Sequence, residues 1–250
     1  MASEMNPDIQ AIFIDVGDTM RFLVKDEPYQ TLAQQQLAAL AGTSESPEKF
    51  YARLNERYNE YRKWAFATMI EASEKELWTR WMLPDCPSEK IAPVARELAT
   101  QFRQSKGRRI VPPDVKPTII ELHKRGYVLG IISNLITERE IPDWLEAEGL
   151  TPYFKSVLLS SVFGRRKPAP EIYWEAARRA GVTPAQSAYV GDNPKRDVVG
   201  TRQAGFGTVV ILTEPEKLAQ EPPTGETVPD VTIHKFCELL NIFPARQRIE

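Results

Sequence analysis

Four short segments, far apart in this 250-residue chain, carry side chains that together could move a phosphoryl group. Ile12-Phe13-Ile14-Asp15-Val16-Gly17-Asp18-Thr19 is an apolar run ending in an acidic turn. Leu129-Gly130-Ile131-Ile132-Ser133-Asn134 is a second apolar run, ending in a hydroxyl. Gly164-Arg165-Arg166-Lys167-Pro168 supplies cations, and Tyr189-Val190-Gly191-Asp192-Asn193-Pro194-Lys195-Arg196-Asp197 supplies two more acids. Phosphoryl transfer needs a nucleophile, neutralisation of the phosphoryl oxygens and in-line geometry. Asp15 is the candidate nucleophile, acting through an aspartyl-phosphate. Asp15 and Asp192 are a carboxylate pair suited to Mg²⁺, a hard cation that prefers oxygen ligands and keeps several waters. The backbone carbonyl of Gly17 could complete the protein ligands. Asp197 could be a further ligand or hold the metal-bound waters. Ser133 and Lys167 would bind the transferring group through a hydroxyl and an ammonium, helped by the amide of Asn134.

An isolated acid after a strand is usually a helix cap or a turn former. What sets these apart is the number that fall at strand ends. Apolar runs with strand character recur at 11–14, 127–132, 156–159, 188–190 and 208–212, with one more at 231–233. Helical spacing at 115–124, 142–148, 170–180 and 194–204 separates the later ones. Gly126, Gly149, Gly181 and Gly205 stand where left-handed caps are expected. Strands alternating with helices predict a parallel sheet covered on both faces. Ligands of such sheets sit outside the carboxyl ends of the strands, and there Asp15, Ser133 and Asp192 would meet.

Between the first two of these strands the pattern changes. Residues 29–41, 47–67, 73–82 and 88–104 read as amphipathic helices with no convincing strand among them. Ser46 and Ser88 look like helix starts, because a serine oxygen can accept from free first-turn amides. Gly107 and Pro112-Pro113 suit a return hinge. Trp64, Phe66, Trp78 and Trp81 read as the core of this insert. Lys49, Lys63 and Lys75 read as solvated. Tyr29, Arg62 and Trp64 are the insert's candidates for facing a substrate.

The composition narrows the function. Net charge is −2 with 26% charged residues, so no global field favours nucleic acid. No run approaches the roughly 18 apolar residues of a membrane span. Cys86 and Cys237 suggest no disulfide framework, and residues 1–10 lack the features of a signal peptide. The expected location is the cytoplasm. His123 and His234 make no metal or triad case, and His123 reads as surface or interhelical packing.

In order, spacing and strand-end placement, the four segments resemble the haloacid dehalogenase-like hydrolases. Most of these are magnesium-dependent phosphatases with an aspartate nucleophile. Those phosphatases carry Asp-x-Asp-x-Thr after strand one, Ser or Thr after strand two, a Lys before a later helix, and Gly-Asp-x-x-x-x-Asp after strand four. Asp15, Thr19, Ser133, Lys167, Asp192 and Asp197 stand in that pattern. Residues 167–173 and 200–205 also look like the family, and core matches cover 11–20 and 110–212. The resemblance implies an α/β fold: a Rossmann-like parallel-sheet core of residues 1–22 and 108–250, with an inserted α-helical cap, 23–107. It implies catalytic roles for Asp15, Thr19, Ser133 and Lys167, and substrate binding by Ser133, Asn134 and Lys167. It further implies Mg²⁺ on Asp15, the Gly17 carbonyl, Asp192 and Asp197, and a small phosphorylated metabolite as substrate.

One position departs from the pattern. Gly17 stands where the phosphatases usually place a second Asp, which protonates the leaving alcohol and then activates water. Such help is typically worth about 10²–10⁴-fold. Asp18 is adjacent and could substitute only if the turn is remodelled. Two other readings therefore stand beside the phosphatase. One is carbon–halogen or carbon–phosphorus hydrolysis, as in the 2-haloacid dehalogenases or phosphonoacetaldehyde hydrolase. The other is a binding module without catalysis, which retention of so many charged groups disfavours.

Overall fold

The computed structural model of the protein describes residues 8–246, so positions 1–7 and 247–250 of the expected core lie outside it. Its strands are β1 (Ala11–Ile14), β2 (Phe22–Val24), β3 (Arg108–Ile110), β4 (Val128–Ser133), β5 (Phe154–Leu159), β6 (Ser187–Gly191), β7 (Thr208–Leu212) and β8 (Val231–Ile233). Six of them form one parallel sheet in the order β5-β4-β1-β6-β7-β8. The chain builds outward from β1 in one direction, then returns to β1 and builds outward in the other. That reversal opens a crevice at the carboxyl end of β1.

β1 is buried on both faces, which is why its sequence is continuously apolar rather than alternating. Ile12 and Ile14 pack with Val115, Ile119 and Leu122 on one face. Ala11 and Phe13 pack with Ile172, Tyr173 and Phe206 on the other. Register fixes the active end: Ile14 lies opposite Ile131 of β4 and Val190 of β6. The residues just beyond these three strands are therefore neighbours.

Helices Glu27–Ala41, Pro47–Thr68 and Ala95–Gln104, with the π-helical turn Leu77–Met82, bury a second apolar cluster around Leu37, Phe50, Leu54, Tyr61, Trp78 and Phe102. The first helix starts where the Asp26 carboxylate accepts from the Tyr29 N–H at 3.1 Å. Ser46 caps the second in the same way. Ser88 does not cap: Pro87 holds that position and no side chain bonds the free amides. The expected 88–104 helix also breaks, because Pro93 has no N–H to give and the chain tightens to 3-10 over Ala92–Val94. Trp78 is buried and Trp64 and Trp81 pack against the cluster. Phe66 is 43% exposed instead, with the Arg166 guanidinium 4.4 Å from its ring centre.

The way in and out of the helical stretch is a feature the sequence pattern did not reveal. β2 and β3 pair antiparallel, Phe22 opposite Ile110 and Val24 opposite Arg108. Three-residue strands are too short to show a period. Gly107 makes the ribbon possible, since a Cβ there would lie 2.5 Å from the Val24 carbonyl oxygen. Both cysteines are free, and the exposed His123 packs its ring edge-on to Tyr153. No helix among the described residues is long and apolar enough to cross a membrane.

Packing in the sheet core is tight at Gly130. A Cβ at this position would stand 2.5 Å from Cδ1 of the buried Phe13 ring. Gly130→Ala should therefore destabilise the fold by about 1–3 kcal/mol. Thermal unfolding of wild type and variant checks this, and an unchanged midpoint would show that the ring moves freely.

Candidate active site

Asp15 leaves the end of β1 nearly buried, at 3% exposure, and its carboxylate is held on both oxygens. Oδ1 accepts from its neighbour's backbone, Val16 N–H at 2.7 Å, and from the Ser133 hydroxyl at 3.1 Å. Oδ2 accepts from Lys167 Nζ at 2.7 Å and from Arg196 Nη2 at 2.8 Å. Lys167 is wholly buried, and its ammonium also reaches Asp197 Oδ1 at 3.0 Å and the Tyr189 hydroxyl. The Asn134 side chain clamps the backbone of Lys167, accepting its N–H at 2.8 Å and donating to its carbonyl at 2.9 Å. Asn134 thus positions the lysine through its side chain.

Asp192 and Asp197 follow β6 through a π-helical turn, Pro194–Val198, where a single continuous helix was expected. Asn193 starts that turn by accepting the Arg196 N–H at 3.1 Å. The turn points Arg196 back across the strand ends. Its Nη2 lies 2.8 Å from Asp15, 3.0 Å from Asp192 and 3.1 Å from Asp197, and its Nε lies 3.0 Å from Asp197. Burial works to raise the Asp197 pKa, but Lys167 and Arg196 outweigh it and hold this carboxyl well below its ordinary value. Asp192 goes the other way. Burial, then the charge of Asp15, raises its pKa to about 6 despite Arg196.

Asp15, Asp192 and Asp197 each bring a carboxylate oxygen within 4.8 Å of the others. Hard oxygens grouped this way fit Mg²⁺, and Arg196 shows that the group already attracts a cation. The Arg196 side chain is 25% exposed, which leaves it a path to solvent. Gly17 and Asp18 border the same crevice. A Cβ at Gly17 would meet nothing within 4 Å, and the residue needs no unusual backbone angle. Asp18 is exposed and takes a left-handed conformation with φ 54°. Thr19 is buried, and its hydroxyl has no hydrogen-bond partner.

Beside Asp15 the crevice opens into a cavity of about 140 Å³, also lined by Arg21, Arg103, Arg109 and Glu140. Arg103 comes from the helical stretch, Arg109 from β3, Arg21 from the turn before β2, and Glu140 from the helix Glu140–Ala147 after β4. Glu140 pairs with Arg103 at 2.8 Å, Arg21 at 3.2 Å and Arg109 at 3.4 Å. Burial would raise the Glu140 pKa, yet the arginines, Arg103 foremost, pull it down to about 2. Of the insert residues proposed from sequence to face a substrate, Tyr29, Arg62 and Trp64, none lines this cavity. Arg62 lies along an outer helix face and Trp64 packs in the helical cluster. The Arg108 guanidinium lies 4.4 Å from the Tyr29 ring centre.

Residues 33–211 match the family described as Haloacid dehalogenase-like hydrolase. Glyceraldehyde 3-phosphate phosphatase of Methanopyrus kandleri is 30% identical over 94% of this chain and 97% of its own. Phosphoserine phosphatase of Thermus thermophilus is 29% identical over 92% of this chain and 98% of its own. A 2-haloacid dehalogenase from Pseudomonas syringae has the same fold, with a TM-score of 0.66 at 24% identity over 94% of this chain and 97% of that one.

Glu140 ties the helical stretch and the ribbon to the sheet. Glu140→Gln would leave partly buried arginines without their counter-charge, a change worth about 3 kcal/mol. A lower thermal midpoint is expected, and no change would mean that solvent already screens the cluster. The carboxyl is depressed in the folded state, so its contribution is complete above the unfolded value near 4.5 and fades as pH falls toward about 2.

Proposed function

The chain belongs to the haloacid dehalogenase-like hydrolases, and from this we propose that it is a Mg²⁺-dependent phosphatase of small phosphorylated metabolites, working through an aspartyl-phosphate on Asp15. The observation that carries this reading is the convergence of Asp15, Ser133, Lys167 and two further acids at one strand edge. The phosphatase names of two relatives that align over nearly their whole length support it.

In this mechanism a carboxylate oxygen of Asp15 attacks phosphorus as the bond to the leaving oxygen breaks. Val16 N–H, Ser133 and Lys167 fix the plane of the Asp15 carboxylate. Ser133 and Lys167 hold the transferring oxygens. Water then attacks the aspartyl-phosphate at phosphorus, releasing phosphate and restoring the carboxylate. Asp15, Asp192 and the Gly17 carbonyl would hold Mg²⁺, with Asp197 anchoring Lys167 and Arg196 behind them. Bound there, the ion would neutralise charge on the phosphoryl oxygens. Arg196 would move toward solvent to free Asp15 and Asp192. The helical stretch 23–107 would act as a cap that closes over the crevice.

The leaving oxygen needs a proton that Gly17 cannot supply. The reaction should therefore favour leaving groups that depart as stable anions. A second reading rests on this and on Arg196: displacement of halide from carbon by Asp15, followed by hydrolysis of the ester. It needs no acid at position 17, and Arg196 could stay where it is.

Release of p-nitrophenol from p-nitrophenyl phosphate, with Mg²⁺ and with EDTA, separates the two. Mg²⁺-dependent release that disappears in Asp15→Asn is the expected result. Wild-type rates in the variant would sink the covalent mechanism, and halide release from a 2-haloacid would favour the second reading. Gly17→Asp should raise turnover of alkyl phosphates, by as much as about 10²-fold. The space around Gly17 is open, so an unchanged rate would mean that proton transfer is not what limits the enzyme.

A further inference from the structure

The arginines of the cluster outnumber the carboxylate they are paired with. Arg21, Arg103 and Arg109 share one carboxylate, Glu140. Arg21 Nε is buried with no hydrogen-bond partner. Behind them Lys106 lies under the helices, bonded only to the neutral Asn55 oxygen at 2.6 Å and set 4.5 Å from the Phe102 ring centre. Its pKa is lowered to about 8, by burial first and then by Arg103, Arg62 and Arg109. Arg109 is lowered to about 10, by burial first and then by Arg103. Arg103 itself is raised, because Glu140 outweighs burial, so the carboxylate serves Arg103 first and leaves Arg109 less well compensated.

The same cavity reaches Asp15 and Ser133 on its other wall. At about 140 Å³ it is well below the roughly 300–1,000 Å³ of pockets for larger ligands. Its walls are polar and charged, so an apolar tail would gain little there.

We propose that Arg21, Arg103 and Arg109 form a recognition site for a carboxylate on the substrate, a few bonds from the group that Asp15 attacks. This rests on Asp15 being the reaction centre, as proposed above. Planar guanidinium forks match the two oxygens of a carboxylate. Glu140 orients the forks within the same cavity wall, and the substrate carboxylate would be a second partner for them. Two of the three arginines come from the helical insert and its return strand, and Glu140 comes from the sheet domain. A bound carboxylate would therefore touch both sides of the crevice and favour its closed form.

The test is calorimetric binding of two non-hydrolysable probes in the presence of Mg²⁺: 3-phosphonopropionate and propylphosphonate. They have the same chain length, and only the first has a carboxylate. Wild type should bind the first at least about tenfold more tightly, as expected for charge-assisted hydrogen bonds. The ratio should fall toward one in Arg109→Gln, while Arg109→Lys keeps part of it. A ratio near one in wild type overturns the proposal, as does an unchanged ratio in both Arg103→Gln and Arg109→Gln, or no binding of either probe. Turnover of p-nitrophenyl phosphate by wild type reads the phosphatase function separately. Carboxylate preference without turnover keeps the arginine site and removes the phosphatase. Turnover without preference does the reverse.

Discussion

Three carboxylates crowded within 4.8 Å of one another repel, and a buried crevice gives that repulsion little screening. The architecture around the strand ends answers this one constraint. Lys167 bridges Asp15 and Asp197 from beneath, with Tyr189 beside it. Arg196 spans all three acids from above. Even Gly191 serves it, since a Cβ there would lie 2.5 Å from the Asp197 carboxylate. The acids stay close because two cations are held between them, and that closeness is what would suit the group to a hard metal ion.

The same logic governs the second charged group with the sign reversed. Around Glu140 the cations are in excess, and the acid is the shared partner. The two groups line one cavity with opposite electrical character. A small molecule lying between them would meet the Asp15 carboxylate at one end and a wall of arginines at the other.

Much of the acid group was legible in the chain. An apolar run followed at once by an acid or hydroxyl marks a strand end, and three of those sit side by side because β1 is flanked by β4 and β6. What was not legible is direction. Pro194-Lys195-Arg196 reads as the solvated start of a helix, and Lys195 is indeed exposed. Only the π-helical turn, set by the Asn193 cap, points the next residue inward. Arg103 presents a similar problem: an arginine near the end of an amphipathic helix reads as its wet face. It is drawn into the cavity by Glu140, 37 positions further along the chain. The ribbon β2–β3 left no pattern at all, since it is held by backbone pairing and by the lack of a side chain at Gly107.

That ribbon has a consequence for how this protein could diversify. The chain leaves the sheet once through β2 and returns once through β3, and the helices between them pack on an apolar cluster to which the sheet side adds Ile136. Mutations within that stretch can rework the surface opposite the nucleophile without disturbing the strand register that brings Asp15, Ser133 and Asp192 together. The strand ends and the helical stretch are encoded in separate parts of the gene, joined by two short strands. A lineage built this way can explore new substrates while its reaction centre stays constant.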